Sequence, residues 1–302
     1  MIKNNKKFVF NIPDEISYQD KYRDQNEKNI KEAKEILNNA DAIVVGIGSG
    51  LSSACGYNYY HENEFFDKHF SKYRQKYGYN NLFFGLNYVY SNYEEQWSFI
   101  ADYVQCMLNE KGGKPYQDLA DLVKLKPHFI LTTNIDTQVS KVFLDDNIWT
   151  FQGDVRFLQC SQPCHDQLYP ITPALNYMLK GKSEYVVQPD SIPRCPHCHR
   201  IMRLWVRDET FLEGKKWQKQ RQNYQNFIKT YQNENIVFLE LGVGNMTPSI
   251  IKFPFWQMTK KMDNAKLISI NYNDTSLPEH VRDKTVLLTM NLKDALKILN
   301  EI

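Results

Sequence analysis

No run of apolar residues in this chain approaches the ~20 that a membrane-spanning helix requires, and its 37 Lys and Arg against 35 Asp and Glu leave a net charge of only +2. The first absence argues against a helical membrane protein. The second removes the field that would gather nucleic acid or acidic lipid, so neither a nucleic acid nor a membrane is an expected partner. The basic start, Met1 to Lys7, is followed only by Phe8-Val9-Phe10, too short for the apolar stretch of a secretory leader. The chain therefore reads as soluble and cytoplasmic. It also lacks internal repeats and long low-complexity tracts. What remains is 302 residues, 42% hydrophobic and 24% charged, an ordinary globular composition. That length buries a substantial core without disulfide staples and suits one large domain with insertions, or two domains. The 19 tyrosines and 17 phenylalanines favour aromatic-lined clefts, although most aromatics fill cores.

Six cysteines set the first positive constraint. Cys55 and Cys106 stand alone, while Cys160 and Cys164 form one short-spaced pair and Cys195-Pro-His-Cys198 another. Where thiols are kept reduced, such pairs point to metal before disulfide. Four thiolates can surround Zn²⁺ tetrahedrally at ~2.3 Å per bond, leaving no open position, so the metal would be structural and not hydrolytic. Its role would be to fix a small module lacking a core of its own. His165, His197 or His199 could replace one of the sulfurs.

Apolar runs of strand length punctuate the rest. Ala42 to Ile47, His128 to Thr132, Ile236 to Leu241, Lys266 to Ile270 and Thr285 to Leu288 are continuous and not alternating, the pattern of parallel strands covered on both faces. A helix is expected over 16–39. Another, polar and Gln-rich, is expected over 215–233. The C-terminal helix should be capped by Asn291, with Leu292, Ala295, Leu296 and Leu299 on one face. Strands separated by helices predict an α/β fold: a Rossmann-like parallel sheet with helices on both faces. Two segments break the rhythm. Residues 57–120 are helical and aromatic, and residues 157–212 hold the cysteine pairs and several prolines. The expected division is a sheet domain from 1–56, 121–156 and 213–302, with the two insertions forming a smaller zinc-binding and helical module.

In an open parallel sheet ligands bind beyond the strand C-termini. The first strand runs into Gly46-Ile47-Gly48-Ser49-Gly50-Leu51-Ser52, the second into Thr133-Asn134-Ile135-Asp136, the third into Gly242-Val243-Gly244-Asn245, and the fourth ends at Asn271. Glycines let a backbone approach a diphosphate with its amides pointed at it. Asn and Asp can grip a ribose and an amide. The first loop has neither the GxGxxG spacing nor the Lys-Ser/Thr of a P-loop. Each loop alone would be explained by turn or packing chemistry; four at four strand ends form a pattern.

That order, with the cysteine insertion, resembles the sirtuin family across nearly the whole chain. Gly48-Ser49-Gly50-Leu51-Ser52 resembles the family's GAG-x-S loop, continued by Ser53-Ala54-Cys55-Gly56. Asn134-Ile135-Asp136 resembles its Asn-Ile-Asp, the cysteine pairs its zinc ribbon, and Gly242-Val243-Gly244 its second phosphate and ribose loop. The resemblance implies NAD as co-substrate, bound between the sheet domain and the small module. Gly48, Ser49, Gly50 and Ser52 would line the diphosphate and nicotinamide-ribose region, and Tyr60 would wall the nicotinamide. Asn134 would contact ribose, and Asp136 would help hold nicotinamide. Gly242, Gly244, Asn245 and Asn271 would serve the adenosine half. Zn²⁺ would sit on Cys160, Cys164, Cys195 and Cys198.

Two departures redirect the expected chemistry. Deacylating sirtuins carry a His-Gly pair where this chain has Gln152-Gly153. Imidazole, with a pKa near ~6.5, accepts a proton at neutral pH and a carboxamide does not; loss of a positioned base typically costs ~10²–10⁴ in rate. The family's Ile-Pro-Asp-Phe-Arg is also replaced, here by Tyr57-Asn58-Tyr59-Tyr60-His61. Both departures resemble the class M, macrodomain-associated sirtuins. That likeness implies protein mono-ADP-ribosyl transfer to a lipoylated carrier related to the glycine-cleavage H protein, with nicotinamide released and a functional link to a macrodomain hydrolase. Asn134, Gln152 and Asp136 are the expected catalytic residues. The competing expectations are a lysine deacylase using another base, with His61 as one candidate, an NAD-hydrolysing defence effector, and a catalytically silent NAD or ADP-ribose sensor.

Overall fold

The computed structural model describes residues 22–272 and 277–301. In chain order the elements are α1 (Arg23–Asn38), β1 (Ala42–Ile47), α2 (Ser49–Ala54), α3 (Glu64–Tyr77), α4 (Leu82–Leu86), α5 (Tyr93–Asn109), α6 (Lys114–Val123), β2 (His128–Thr132), β3 (Ile148–Thr150), β4 (Gly153–Cys160), β5 (Tyr169–Pro170), α7 (Thr172–Lys180), β6 (Met202–Val206), α8 (Lys215–Tyr231), β7 (Ile236–Leu241), α9 (Lys252–Lys261), β8 (Lys266–Ile270), β9 (Thr285–Leu288) and α10 (Leu292–Asn300). The five apolar runs are all strands of one parallel sheet in the order β3-β2-β1-β7-β8-β9. Every residue of β1 and of β7 is buried, as two-sided coverage demands. One face packs against α1, α6 and α10 through residues such as Ala33, Leu119 and Leu296. The other packs against α8 and α9 through Trp217, Tyr224 and Phe255. Inside this core Lys252 lies 3.7 Å from Glu240, which also accepts from the Ser269 hydroxyl at 2.9 Å. A charge in a central strand is thereby paired rather than stranded.

The chain order along the sheet reverses at β1, and the cleft opens beside that switch point, at the C-terminal ends of β1, β2 and β3. A second core roofs it, which corrects the expectation that the small module lacks a core of its own. Helices α3, α5 and α7 pack there with the antiparallel sheet β5-β4-β6, burying Phe70, Trp97, Phe99, Leu158 and Met178. The starts of α3, α4 and α5 share one device. The side chains of Asn63, Asn81 and Asn92 accept from Phe66 N, Phe84 N and Glu95 N, satisfying amides that the first turn leaves without partners.

The sequence expectations need local correction. Among the described residues the first helix starts at Arg23, and residues 16–21 of the expected helix lie outside the described residues. The boundary placed at 120 cuts α6, whose Tyr116, Leu119 and Val123 belong to the sheet core. The boundary placed at 156 falls inside β4. The small antiparallel sheet was not anticipated. The helix expected over 215–233 spans Lys215–Tyr231. At α10, Asn291 caps Lys293 N at 2.9 Å, and Leu292, Ala295, Leu296 and Leu299 are buried.

Candidate functional site

A cleft of about 850 Å³ lies between the sheet's C-terminal edge and the second core. That size suits a small molecule or cofactor. Ser49 from the start of α2, Thr133-Asn134-Ile135 after β2, and Gln152 between β3 and β4 form its base. Tyr60, Phe83, Leu86, Trp97 and Ile100 give the lining apolar surface, and Arg194, Arg200, Arg203 and Arg207 give it positive charge.

Asn134 organises the base. Its side-chain amide donates to Gly48 O at 2.9 Å, Ser52 Oγ at 2.9 Å and Tyr116 OH at 3.1 Å, while its backbone N–H is held by Thr132 Oγ1 at 3.0 Å. With the amide hydrogens committed to the protein, its carbonyl oxygen is the atom left for a ligand. Behind it, Ser52 and Asp136 are each only 1% exposed, and the Ser52 hydroxyl donates to the Asp136 carboxylate. Asp136 also accepts from Gln138 N at 3.2 Å. Burial raises the Asp136 carboxyl above its ordinary value, against the hydrogen bonds from Ser52 and Gln138.

The two glycine loops meet. Gly242 has φ +58°, and a Cβ on Gly50 would lie 2.6 Å from Gly242 Cα, so neither position has room for a side chain. Gly48 N–H donates to Leu241 O and Gly50 N–H to Gly242 O, both at 3.0 Å. This corrects the expectation that those amides point at a diphosphate: these glycines seat one strand-end loop against the other. Ser49 remains on the cleft. Gly244 and Asn245 are exposed beyond the contact, and the Asn271 amide donates to Val243 O at 2.9 Å, holding that loop. Thus the cleft brings together Ser49, Tyr60, Asn134 and Gln152. Ser52 and Asp136 lie beneath it, and Gly242, Gly244, Asn245 and Asn271 stand outside its walls.

Gln152 sits on clamped backbone. Its carbonyl accepts from Arg207 N at 2.9 Å. The preceding Phe151 O accepts from the Arg207 guanidinium at 3.1 and 3.2 Å and from Trp217 Nε1 at 3.1 Å. Arg207 in turn lies over Phe211 at 4.2 Å and Phe151 at 4.7 Å. Gly153, at φ +90°, turns the chain into β4. Among the described residues lining the cleft there is no histidine, and its one carboxylate, Asp208, is paired with Arg203. His61 is not on the cleft; its N–H is capped by Asn58 at 3.0 Å.

The four thiols of Cys160, Cys164, Cys195 and Cys198 converge, with Sγ atoms of 160 and 198 at 3.5 Å and of 164 and 195 at 3.7 Å. A tetrahedron with bonds of ~2.3 Å has edges of about 3.8 Å, so the set fits zinc. The Arg200 amide directed at Cys198 lowers that thiol to about 6. His165 Nδ1 stands 3.1 Å from Cys164 Sγ, beside the sulfur set and outside it.

Sequence reasoning missed Tyr116, whose hydroxyl contacts both Ser52 and Asn134 and which no local pattern marks. It also missed the arginines, although positions 194, 200, 203 and 207 crowd one short stretch around the second cysteine pair.

No protein-family model matches the chain. It is similar to a "Protein ADP-ribosyltransferase" of Staphylococcus aureus, 29% identical over 273 residues that cover 89% of this chain and 86% of the relative. It is also similar to a "Probable bifunctional ADP-ribose hydrolase/ADP-ribosyltransferase" of Fusarium oxysporum f. sp. cubense, 28% identical over 251 residues, or 79% of this chain and 41% of that longer protein. Among solved structures, a Sir2 mutant with a p53 peptide and NAD superposes with a TM-score of 0.57 at 18% identity, covering 90% of this chain and 97% of the other. The arrangement of sheet, cleft and four-thiol module described above is the sirtuin fold.

Proposed function

We propose that this chain is an NAD-dependent protein mono-ADP-ribosyltransferase of class M sirtuin type, with structural zinc on its four cysteines. The observation that carries the reading is the composition of the cleft: an amide, Gln152, beside Asn134 and Ser49, with no imidazole among the described lining residues and the single carboxylate tied to an arginine. A deacylase needs a base to activate a ribose hydroxyl. Transfer to a carboxylate needs none, because the acceptor is already an anion. NAD supplies the chemistry by losing nicotinamide and developing positive character at the ribose carbon.

The chain's residues would divide the remaining work. The Asn134 carbonyl meets the nicotinamide ribose, and the Ser52–Asp136 pair backs the nicotinamide site. Tyr60 provides an aromatic wall, and Gln152 orients a ribose hydroxyl or the acceptor. The Gly242–Asn245 loop and Asn271 serve the adenosine half. Both curated relatives are named as ADP-ribosyltransferases, and the superposed sirtuin carries NAD, which supports the reading. The acceptor we favour is a lipoylated carrier related to the glycine-cleavage H protein, working with a macrodomain hydrolase. A lining that combines apolar and basic residues suits a long apolar arm on an acidic protein.

The test is incubation with tagged NAD and three acceptors: a lipoylated carrier, the same carrier without lipoate, and an acetyl-lysine peptide. Label on the lipoylated carrier alone is expected. Acyl-ADP-ribose released from the peptide at a comparable rate would replace this reading with deacylation.

A further inference from the structure

Away from the cleft and the four-thiol cluster, three different ligand types converge: His69 on α3, and Cys106 and Glu110 at the end of α5, with one donor atom from each within 4.8 Å of the others. All three are partly buried. Cys106 and Glu110 are four residues apart and so project from one side of the helix end. His69 reaches them from the neighbouring helix. The surroundings hold each group in place. Tyr57 OH donates to Glu110 Oε2 at 3.0 Å. Lys141 Nζ bonds Met107 O at 2.7 Å and also Glu110 O, fixing the last turn of α5. The His69 ring packs against Phe65 at 4.7 Å, and Phe65 against Tyr57 at 5.0 Å. Partners that orient the ligands in this way are the usual support of a metal site.

We propose that His69, Cys106 and Glu110 form a second cation site, for zinc, with water in the fourth position. One imidazole, one thiolate and one carboxylate suit this borderline ion. Calcium and magnesium take oxygen ligands almost exclusively, so they are excluded by the thiol and the ring. Thiolate is the ligating form of cysteine, so binding would release the Cys106 thiol proton to solvent. Its structural effect would be to cross-link α3 to α5 on the far side of Tyr57, whose loop carries Tyr60 into the cleft.

The full-length protein, reconstituted with zinc and freed of loose metal, should hold two equivalents by elemental analysis. Cys106→Ser and His69→Gln should each hold one, with unchanged far-UV circular dichroism. One equivalent in the wild type, or two in either folded variant, overturns the site. Zinc-edge X-ray absorption of the wild type reads the same question without a variant. Nitrogen and oxygen scatterers are expected beside sulfur, because the four-thiol centre alone gives a pure sulfur shell. A pure sulfur shell overturns the proposal.

Discussion

The Ser52 hydroxyl donates to the Asp136 carboxylate beneath the cleft, in a pocket that leaves each residue 1% exposed. One hydroxyl and one backbone amide face a carboxylate that has lost its water, and burial prevails, raising its pKa. A carboxyl whose folded value is raised binds its proton more tightly folded than unfolded. Its contribution to stability is therefore fully present below the unfolded value of ~3.9 and is lost as pH rises through the folded value.

Asp136→Asn removes that pH-dependent cost. The variant should melt higher than wild type at pH 8, with the difference closing toward pH 4, while NAD turnover falls if the pair backs the nicotinamide site. Melting curves across pH, with turnover measured on the same samples, check both parts. A lower melting temperature at pH 8 would show that the ionised form is better satisfied than its burial implies.

The Gln152 carbonyl is held by Arg207 N and the preceding Phe151 O by the Arg207 guanidinium and Trp217, so substitutions at Gln152 test side-chain chemistry with little loss of fold. Gln152→Ala removes one hydrogen-bonding group and should slow transfer roughly 10-fold, matching the ~1.4 kcal/mol of one good hydrogen bond. Gln152→His installs a base of pKa ~6.5 and should bring acetyl-peptide deacylation that rises through that pH. Undiminished transfer by Gln152→Ala would remove its assigned role.

The contact between Gly50 and Gly242 bears on both halves of the proposed nucleotide site. A methyl on Gly50 would stand 2.6 Å from Gly242 Cα, and backbone cannot step aside as a side-chain tip can. Gly50→Ala should cost about 1–3 kcal/mol, the usual range for overpacking. It should also weaken NAD binding, because both strand-end loops move. Denaturant unfolding and calorimetry measure the two effects. Wild-type values in both would mean that the loops are not mutually seated.

How much of this was legible beforehand follows from how far apart the determinants lie in the chain. Five strands of the parallel sheet declared themselves as continuous apolar runs, of which Ala42 to Ile47 is buried throughout. The pairing of β1 with both β2 and β7 is a property of distant segments, and no local pattern encodes it. Strands β4 and β6 escaped because charged residues interrupt them, Asp154 and Arg156 in one and Arg203 in the other. Those charges form ion pairs, Arg156 with Asp154 and Arg203 with Asp208. Cysteine spacing sufficed for the thiol cluster, whose members the fold brings within 4.8 Å. Asn134 could be picked from its place at a strand end. Its partners Gly48, Ser52 and Tyr116 come from separate elements, so its fixed orientation became visible only in the folded chain.

The arginines lining the cleft allow the proposed acceptor recognition to be tested apart from NAD chemistry. Arg203 is paired with Asp208, and Arg207 is bonded to Glu213 and Phe151 O. Arg200 is exposed, carried on the turn beside the second cysteine pair. If the acceptor is acidic, reversing the charge at this exposed point should hinder its approach and leave the nucleotide's contacts alone. Arg200→Glu is therefore expected to raise the KM for the carrier several-fold and to flatten its dependence on ionic strength, since steering between opposite charges is screened by salt. Release of nicotinamide from NAD without carrier should be unchanged. A fall in that basal reaction would place Arg200 against the nucleotide instead. An unchanged carrier KM would mean that the acceptor docks elsewhere.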